Sequence, residues 1–144
     1  MKTVFCIVAL ILAQWIIPED AFAGTVGLHL VSVHSTPGYN SLNLGAYYRA
    51  DNGATLGAYC NSESRSELFP DAKLCQVSRY VGYTVTHDTR FGDVSATIGI
   101  IQGYQRGTMP MILPTVRYDS WRVAIIPRID PKRGAWVVHL MREF

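Results

Sequence analysis

Four residues carry the chemistry this chain offers: His34 with Ser35, and Asn61 with Ser62. An imidazole near a hydroxyl is the minimum for nucleophilic or general-base acyl transfer. The ring takes the hydroxyl proton, and a third polar group orients the ring. Each pair follows an apolar stretch, Leu28 to Val33 before His34 and Leu56 to Cys60 before Asn61. Each therefore reads as the polar end of a strand running into a loop. Polar residues at such ends are otherwise simply solvated, so the reading depends on whether the two ends meet.

The elements that would bring them together are strands. No helical period runs through the chain after Gly24, and apolar residues alternate or fall in short blocks between turn residues. Strands are expected over about 25–35, 43–50, 54–62, 77–86, 93–103, 111–118, 121–129 and 135–144. Asp51-Asn52-Gly53 is a hairpin turn, because Asn and Gly tolerate positive φ. Arg117-Tyr118-Asp119-Ser120 and the somewhat longer Arg90-Phe91-Gly92-Asp93 are further turns. Ser35–Leu42, Glu63–Gln76, Tyr104–Pro110 and Asp130–Gly134 read as the mostly longer loops between them.

Short turns alternating with longer loops are the habit of outer-membrane barrels, and strands of this length cross a bilayer when tilted. The expected fold class is all-β, an eight-stranded antiparallel up-and-down transmembrane β-barrel. The last strand presents Trp136, Val138, Leu140, Arg142 and Phe144 on one face. A chain closing on an aromatic residue in this way resembles the terminal assembly signal of such barrels. A soluble exported barrel or sandwich has the same alternation with its apolar face inward. Eight strands are too few for an aqueous channel, so the interior is packed or holds one small ligand. Ile98 and Ile100 oppose Thr97, Gly99 and Ile101, so neither face of this strand is strongly polar. A partly apolar lumen suits a hydrocarbon chain better than ions.

Processing and charge narrow the class. Lys2, the apolar run Val4 to Ile17 and the small-x-small site Ala21-Phe22-Ala23 read as a secretory signal peptide. That gives 1–23 as leader and 24–144 as a single barrel domain. Losing one cation and two anions (Lys2, Glu19 and Asp20) takes the formal charge from +2 to +3. No basic run marks a nucleic-acid surface. Cys60 and Cys75 flank one polar loop in an exported chain. They read as a disulfide, with two unpaired thiols as the alternative. No second ligand pair lies at close spacing, so neither a metal nor a cofactor is expected.

Topology then places His34 and Asn61-Ser62 at the same outer rim, since strands one and three both rise toward it. In this arrangement the sequence resembles the lipid A palmitoyltransferases of the PagP type. The likeness is distant and consists of pattern. It comprises His34 ending the first strand, Asn61-Ser62 ending the third where the family has Asp-Ser, and Gly82-Tyr83 in the next. It continues through Met109-Pro110-Met111-Ile112-Leu113-Pro114, Ile126-Pro127 and a terminal strand ending in Phe144. Order and spacing agree from about His34 to Phe144.

The resemblance implies an outer-membrane enzyme that moves an acyl chain from a phospholipid to lipid A. His34 and Ser62 would be the reactive pair, with Asn61 orienting. Breaks at Pro110, Pro114 and Pro127 would let lipid enter sideways, since proline cannot donate a ladder hydrogen bond. The acyl pocket would involve Gly82 and Thr84, the latter standing where the family has an interior glycine. Arg65, Arg79, Tyr104 and Arg106, on or near the outer loops, would meet the substrate, and an arginine there can hold a lipid phosphate. The expected partners are phospholipid and lipid A around a monomer embedded in the outer membrane of a Gram-negative bacterium. Asn61 in place of Asp, Thr84, and the lack of an amphipathic helix before strand one are departures from the pattern. They leave open a diverged transferase, a relative using another acyl chain or acceptor, and an inactive barrel. The non-enzymatic alternatives are a surface-modifying or adhesion barrel of the outer membrane and a soluble periplasmic lipid-binding barrel.

Overall fold

Alternating sequences make strands whose two faces must meet different surroundings. In the computed structural model, which describes residues 23–128 and 134–144, eight such strands follow one another. They are β1 (Gly24–His34), β2 (Leu42–Ala50), β3 (Ala54–Cys60), β4 (Val77–Thr89), β5 (Gly92–Tyr104), β6 (Gly107–Tyr118), β7 (Trp121–Ile126) and β8 (Val137–Glu143). Each pairs antiparallel with the next, and β8 pairs with β1. The chain is all-β, a closed eight-stranded antiparallel up-and-down barrel. Most of the leader expected over 1–23 and part of the loop expected at 130–134 lie outside the described residues.

The two ends of the barrel differ. At one end the connections are short, as at Asn52-Gly53, where Gly53 adopts φ 91° and the Asn52 Oδ1 accepts from Ala54 N at 3.0 Å. At the other end, the rim, long segments join β1 to β2, β3 to β4 and β7 to β8. The fourth rim connection corrects the expected Tyr104–Pro110 loop. β5 runs to Tyr104 and β6 starts at Gly107, so only Gln105 and Arg106 lie between them. Gly103 (φ 105°) and Gly107 (φ 77°) supply the left-handed backbone that so tight a reversal requires. Pro110 is therefore a strand residue opposite Ile100, not a loop proline.

Burial is inverted relative to a water-soluble core. Leu28, Leu44, Leu56, Val81, Ile98, Ile112 and Ile125 are exposed on the outer face. Thr55, Thr84, Thr97, Thr115, Arg122 and Glu143 are buried inside. These inner residues fill the short-turn end. Arg122 donates to Glu143 at 2.7 and 3.2 Å and to Thr115 and Ser95 at 2.6 and 3.1 Å. Tyr47 donates to Glu143 at 2.6 Å, and Arg49 and Arg117 stand 3.5 and 3.6 Å from the same carboxylate.

Two rings cross the lumen above and within this polar layer, and each needs a glycine opposite. Tyr80 pairs across the strands with Gly57, and Tyr47 with Gly27. A Cβ at Gly57 would sit 2.6 Å from the Tyr80 ring. Gly57→Ala is expected to cost about 1–3 kcal/mol by overpacking. A denaturant titration of the refolded protein reads this, and an unchanged midpoint would mean the ring has room to move.

Candidate functional site

The upper half of the barrel holds a cavity of about 830 Å³ that opens at the rim. Its size is that of a site for a small ligand. His34 ends β1 and Ser62 follows β3, and both line the cavity. Two backbone bonds between rim loops hold them at one mouth: Asn40 N to Ser62 O at 3.1 Å and Leu68 N to Gly38 O at 3.0 Å. The His34 ring stacks on Tyr39 at 5.1 Å between centroids, and Tyr39 in turn meets Phe69 at 6.0 Å. The His34 Nδ1 is buried with no hydrogen-bond partner among the described residues. Ser35 closes the rim between β1 and β8. It donates its N–H to Trp136 O, and its hydroxyl accepts from Trp136 N, both at 2.9 Å.

Asn61 does not orient the imidazole. It is fully buried, and its amide donates to Ser78 Oγ at 2.9 Å and Gly103 O at 3.0 Å, while its Oδ1 accepts from Glu63 N at 2.9 Å. Its work is to pin the start of the β3–β4 loop to β4 and β5. Ser62 and Tyr104 both line the cavity, and the Tyr104 hydroxyl bonds that of Tyr59 at 2.9 Å. Tyr104 and Arg106 line the mouth with Arg128 and Glu63. Arg65 and Arg79 do not line it. Arg65 sits in the β3–β4 loop, and Arg79 is exposed on β4 opposite Gln102. Nor do Gly82 and Thr84 line it. Thr84 faces inward one layer deeper, sharing hydroxyl bonds of 2.7 Å with both Thr55 and Thr97.

The cavity's floor is polar. His29 Nδ1 meets His139 Nε2 at 2.8 Å, and His29 Nε2 meets the Tyr80 hydroxyl at 3.0 Å. Sequence reasoning passed over His29 and His139. A bulge at Leu30 shifts the register of β1 against β8 between His29 and Val31. It allows His29, Ser32 and His34 to turn to the same side, which strict alternation forbids. Among the described residues no group of three or more His, Cys, Asp or Glu is placed to hold a metal ion.

Among the described residues the side wall is incomplete, and β6 pairs with β7 only at Thr115, Val116, Arg117 and Tyr118. Above Thr115, β6 has no ladder partner in β7 among the described residues. Pro110, Ile112 and Pro127 flank this gap and line the cavity, and Pro114 sits at its lower end. These prolines remove donors where a wall would otherwise knit.

No family model matches this chain, and neither a curated protein nor a solved structure matches it. What the site does must therefore be argued from its geometry.

Cys60 and Cys75 form a disulfide, with their Cα atoms 4.9 Å apart. It closes the loop that carries Ser62, Leu68 and Phe69, all of which line the cavity. On a chain-entropy argument, a closed loop of this length stabilises by about 3 kcal/mol. Cys60→Ser with Cys75→Ser is expected to lose roughly that much in urea unfolding. Wild-type protein under reductant should match the double variant.

Proposed function

We propose that this protein is an outer-membrane acyltransferase that moves an acyl chain from a phospholipid to lipid A. One observation carries the reading. A cavity of about 830 Å³ opens at the rim and is lined by Pro110, Ile112, Ile126 and Pro127 beside the stretch where the described β6 and β7 do not pair, a place where a lipid could pass sideways without leaving the bilayer. The exposed apolar residues around the barrel and the buried polar ones inside support membrane insertion. The PagP-type pattern of the sequence supports the choice of lipid A as acceptor.

In this mechanism the His34 imidazole, which lines the cavity at its mouth, takes the proton of the acceptor hydroxyl. The hydroxyl oxygen attacks the ester carbonyl, the donor's ester C–O bond breaks, and the proton passes to the leaving alkoxide. Transfer is direct and needs no covalent intermediate. Ser62 and Tyr104 offer hydroxyl donors beside the carbonyl. Arg106 and Arg128 stand at the mouth, where lipid phosphates arrive.

The second reading is a lipid-binding barrel without chemistry. It draws on the commitment of Asn61 to the loop, which leaves His34 stacked on Tyr39 with no acidic partner among the described residues. Mass spectrometry of lipid A from cells with and without the protein separates the two. A mass increase of one acyl chain supports transfer. No change, with a heat-modifiable band in the outer-membrane fraction, supports binding alone. A protein recovered in the soluble periplasmic fraction refutes both membrane readings.

A further inference from the structure

Among the described residues lining the cavity, Glu63 carries the one carboxylate. It stands at the mouth, directly after Ser62 in the loop that the Cys60–Cys75 disulfide closes. Its position is fixed from both ends. Its N–H donates to the Asn61 Oδ1 at 2.9 Å, and Asn61 is itself fully buried and bonded to Ser78 and Gly103. Its side chain reaches across the rim to the β5–β6 reversal, where the Oε2 accepts from Gln105 N at 2.7 Å. The Oε1 has no hydrogen-bond partner among the described residues, and none of their Lys, Arg or His side chains lies within ion-pair distance of it. Glu63 is half-buried and its bond to Gln105 is exposed, so the second oxygen is open to whatever occupies the mouth.

A carboxylate held in this way discriminates by charge. A phospholipid with its ester beside His34 and Ser62 places its headgroup among the other residues of the mouth, Glu63, Gln105 and Arg106. A headgroup that is net anionic brings its phosphate against Glu63 with nothing to offset the repulsion. A headgroup ending in a primary ammonium brings a positive charge and three N–H donors to the open oxygen. Charge-assisted bonds of that kind are the stronger ones.

We infer that Glu63 selects a donor lipid whose headgroup carries a primary ammonium, as phosphoethanolamine does, over one whose headgroup is net anionic. This deepens, and rests on, the reading of the cavity as an acyl site. The carboxylate is partly solvated, so the contact has the strength of a surface ion pair, and a preference of about threefold to fivefold follows.

The test is competition for the refolded full chain in non-ionic detergent between equimolar dipalmitoyl phosphatidylethanolamine and dipalmitoyl phosphatidylglycerol. The protein is re-isolated by gel filtration, and the lipid extracted from it is quantified by mass spectrometry. The expected result is about threefold or more phosphatidylethanolamine. The ratio should fall toward one in about 0.5 M sodium chloride, where such a pair is screened. A second arm adds excess free phosphoethanolamine. A ratio that survives it identifies the membrane lipid as the ligand, and a ratio abolished by it identifies recognition of the headgroup alone. Glu63→Gln, which keeps an acceptor for Gln105 N, is expected to bring the ratio toward one while both lipids still bind. Glu67→Gln changes an exposed carboxylate of the same loop that does not line the cavity, and should leave the ratio unchanged. Equal extraction of the two lipids from wild type overturns the inference but leaves the acyl site standing. So does a ratio indifferent to salt or to Glu63→Gln, or one lost equally in Glu67→Gln. Extraction of neither lipid overturns the acyl reading itself.

Discussion

Glu143→Ala is expected to destabilise the barrel by about 3–5 kcal/mol, the usual cost of leaving a buried charge without its partner. The carboxylate is the common anion for three guanidiniums, those of Arg122, Arg49 and Arg117, and it accepts from Tyr47. Its side chain and that of Arg122 are 2% and 4% exposed, so solvent cannot take over. Arg117 retains Asp93, to which it donates from Nε at 2.6 Å. Among the described residues Arg122 retains hydrogen bonds only to neutral hydroxyls, those of Thr115 and Ser95. Glu143→Gln should fall between wild type and Ala, because it keeps an acceptor for Tyr47 but loses the charge. The pair Glu143→Leu with Arg122→Leu should recover much of the loss, since a buried ion pair is often replaceable by apolar packing. Urea unfolding of the refolded barrel in lipid vesicles, followed by tryptophan fluorescence, measures each. A loss below about 1 kcal/mol for Glu143→Ala would mean that water or a neighbouring carboxylate already serves these arginines.

The second large effect concerns chemistry. If the protein is the acyltransferase proposed above, His34→Ala is expected to slow transfer to lipid A by about 10²–10⁴-fold, the range that general-base catalysis supplies. The ring sits at the rim, half-buried and stacked on Tyr39, so its removal should leave the unfolding midpoint little changed. Ser62→Ala and Tyr104→Phe discriminate the supporting roles. If Ser62 donates to the carbonyl oxygen, its loss lowers kcat and leaves KM near wild type. If Tyr104 does so instead, the pattern moves to Tyr104→Phe. Asn61→Ala should act through folding, because its amide anchors the β3–β4 loop to Ser78 and Gly103. The assay uses purified protein, detergent-dispersed phospholipid donor and lipid A acceptor. A His34→Ala enzyme at wild-type rate would remove the imidazole from the mechanism.

The barrel was legible because its cues are local. Asn52-Gly53 names its hairpin, alternation names each strand, and the up-and-down order brings the ends of β1 and β3 to one rim. The rim loops at 104–110 were misjudged because glycine and proline there signal a break, whereas Gly103 and Gly107 serve a two-residue reversal and Pro110 sits in a strand. Asn61 was read from its neighbour Ser62, but its burial beneath Gly103 depends on a contact 42 positions away. The polar cavity floor was illegible for a different reason. His29 and His34 stand five positions apart, so plain alternation sends them to opposite faces, and only the irregularity at Leu30 reconciles them.

That irregularity makes the site depend on residue count as much as residue identity. Leu30 supplies no contact to the cavity, yet it sets the phase of everything on β1 above it. Replacing its side chain leaves the phase intact. Adding one residue between Leu30 and Ser32 would send Ser32 and His34 to the outer face and bring Val31 and Val33 in, whereas removing Leu30 would straighten the strand and keep both inside. The position is therefore silent to substitution and decisive to insertion. Relatives that keep both rim and floor histidines should conserve the spacing between them more strictly than the residues that fill it.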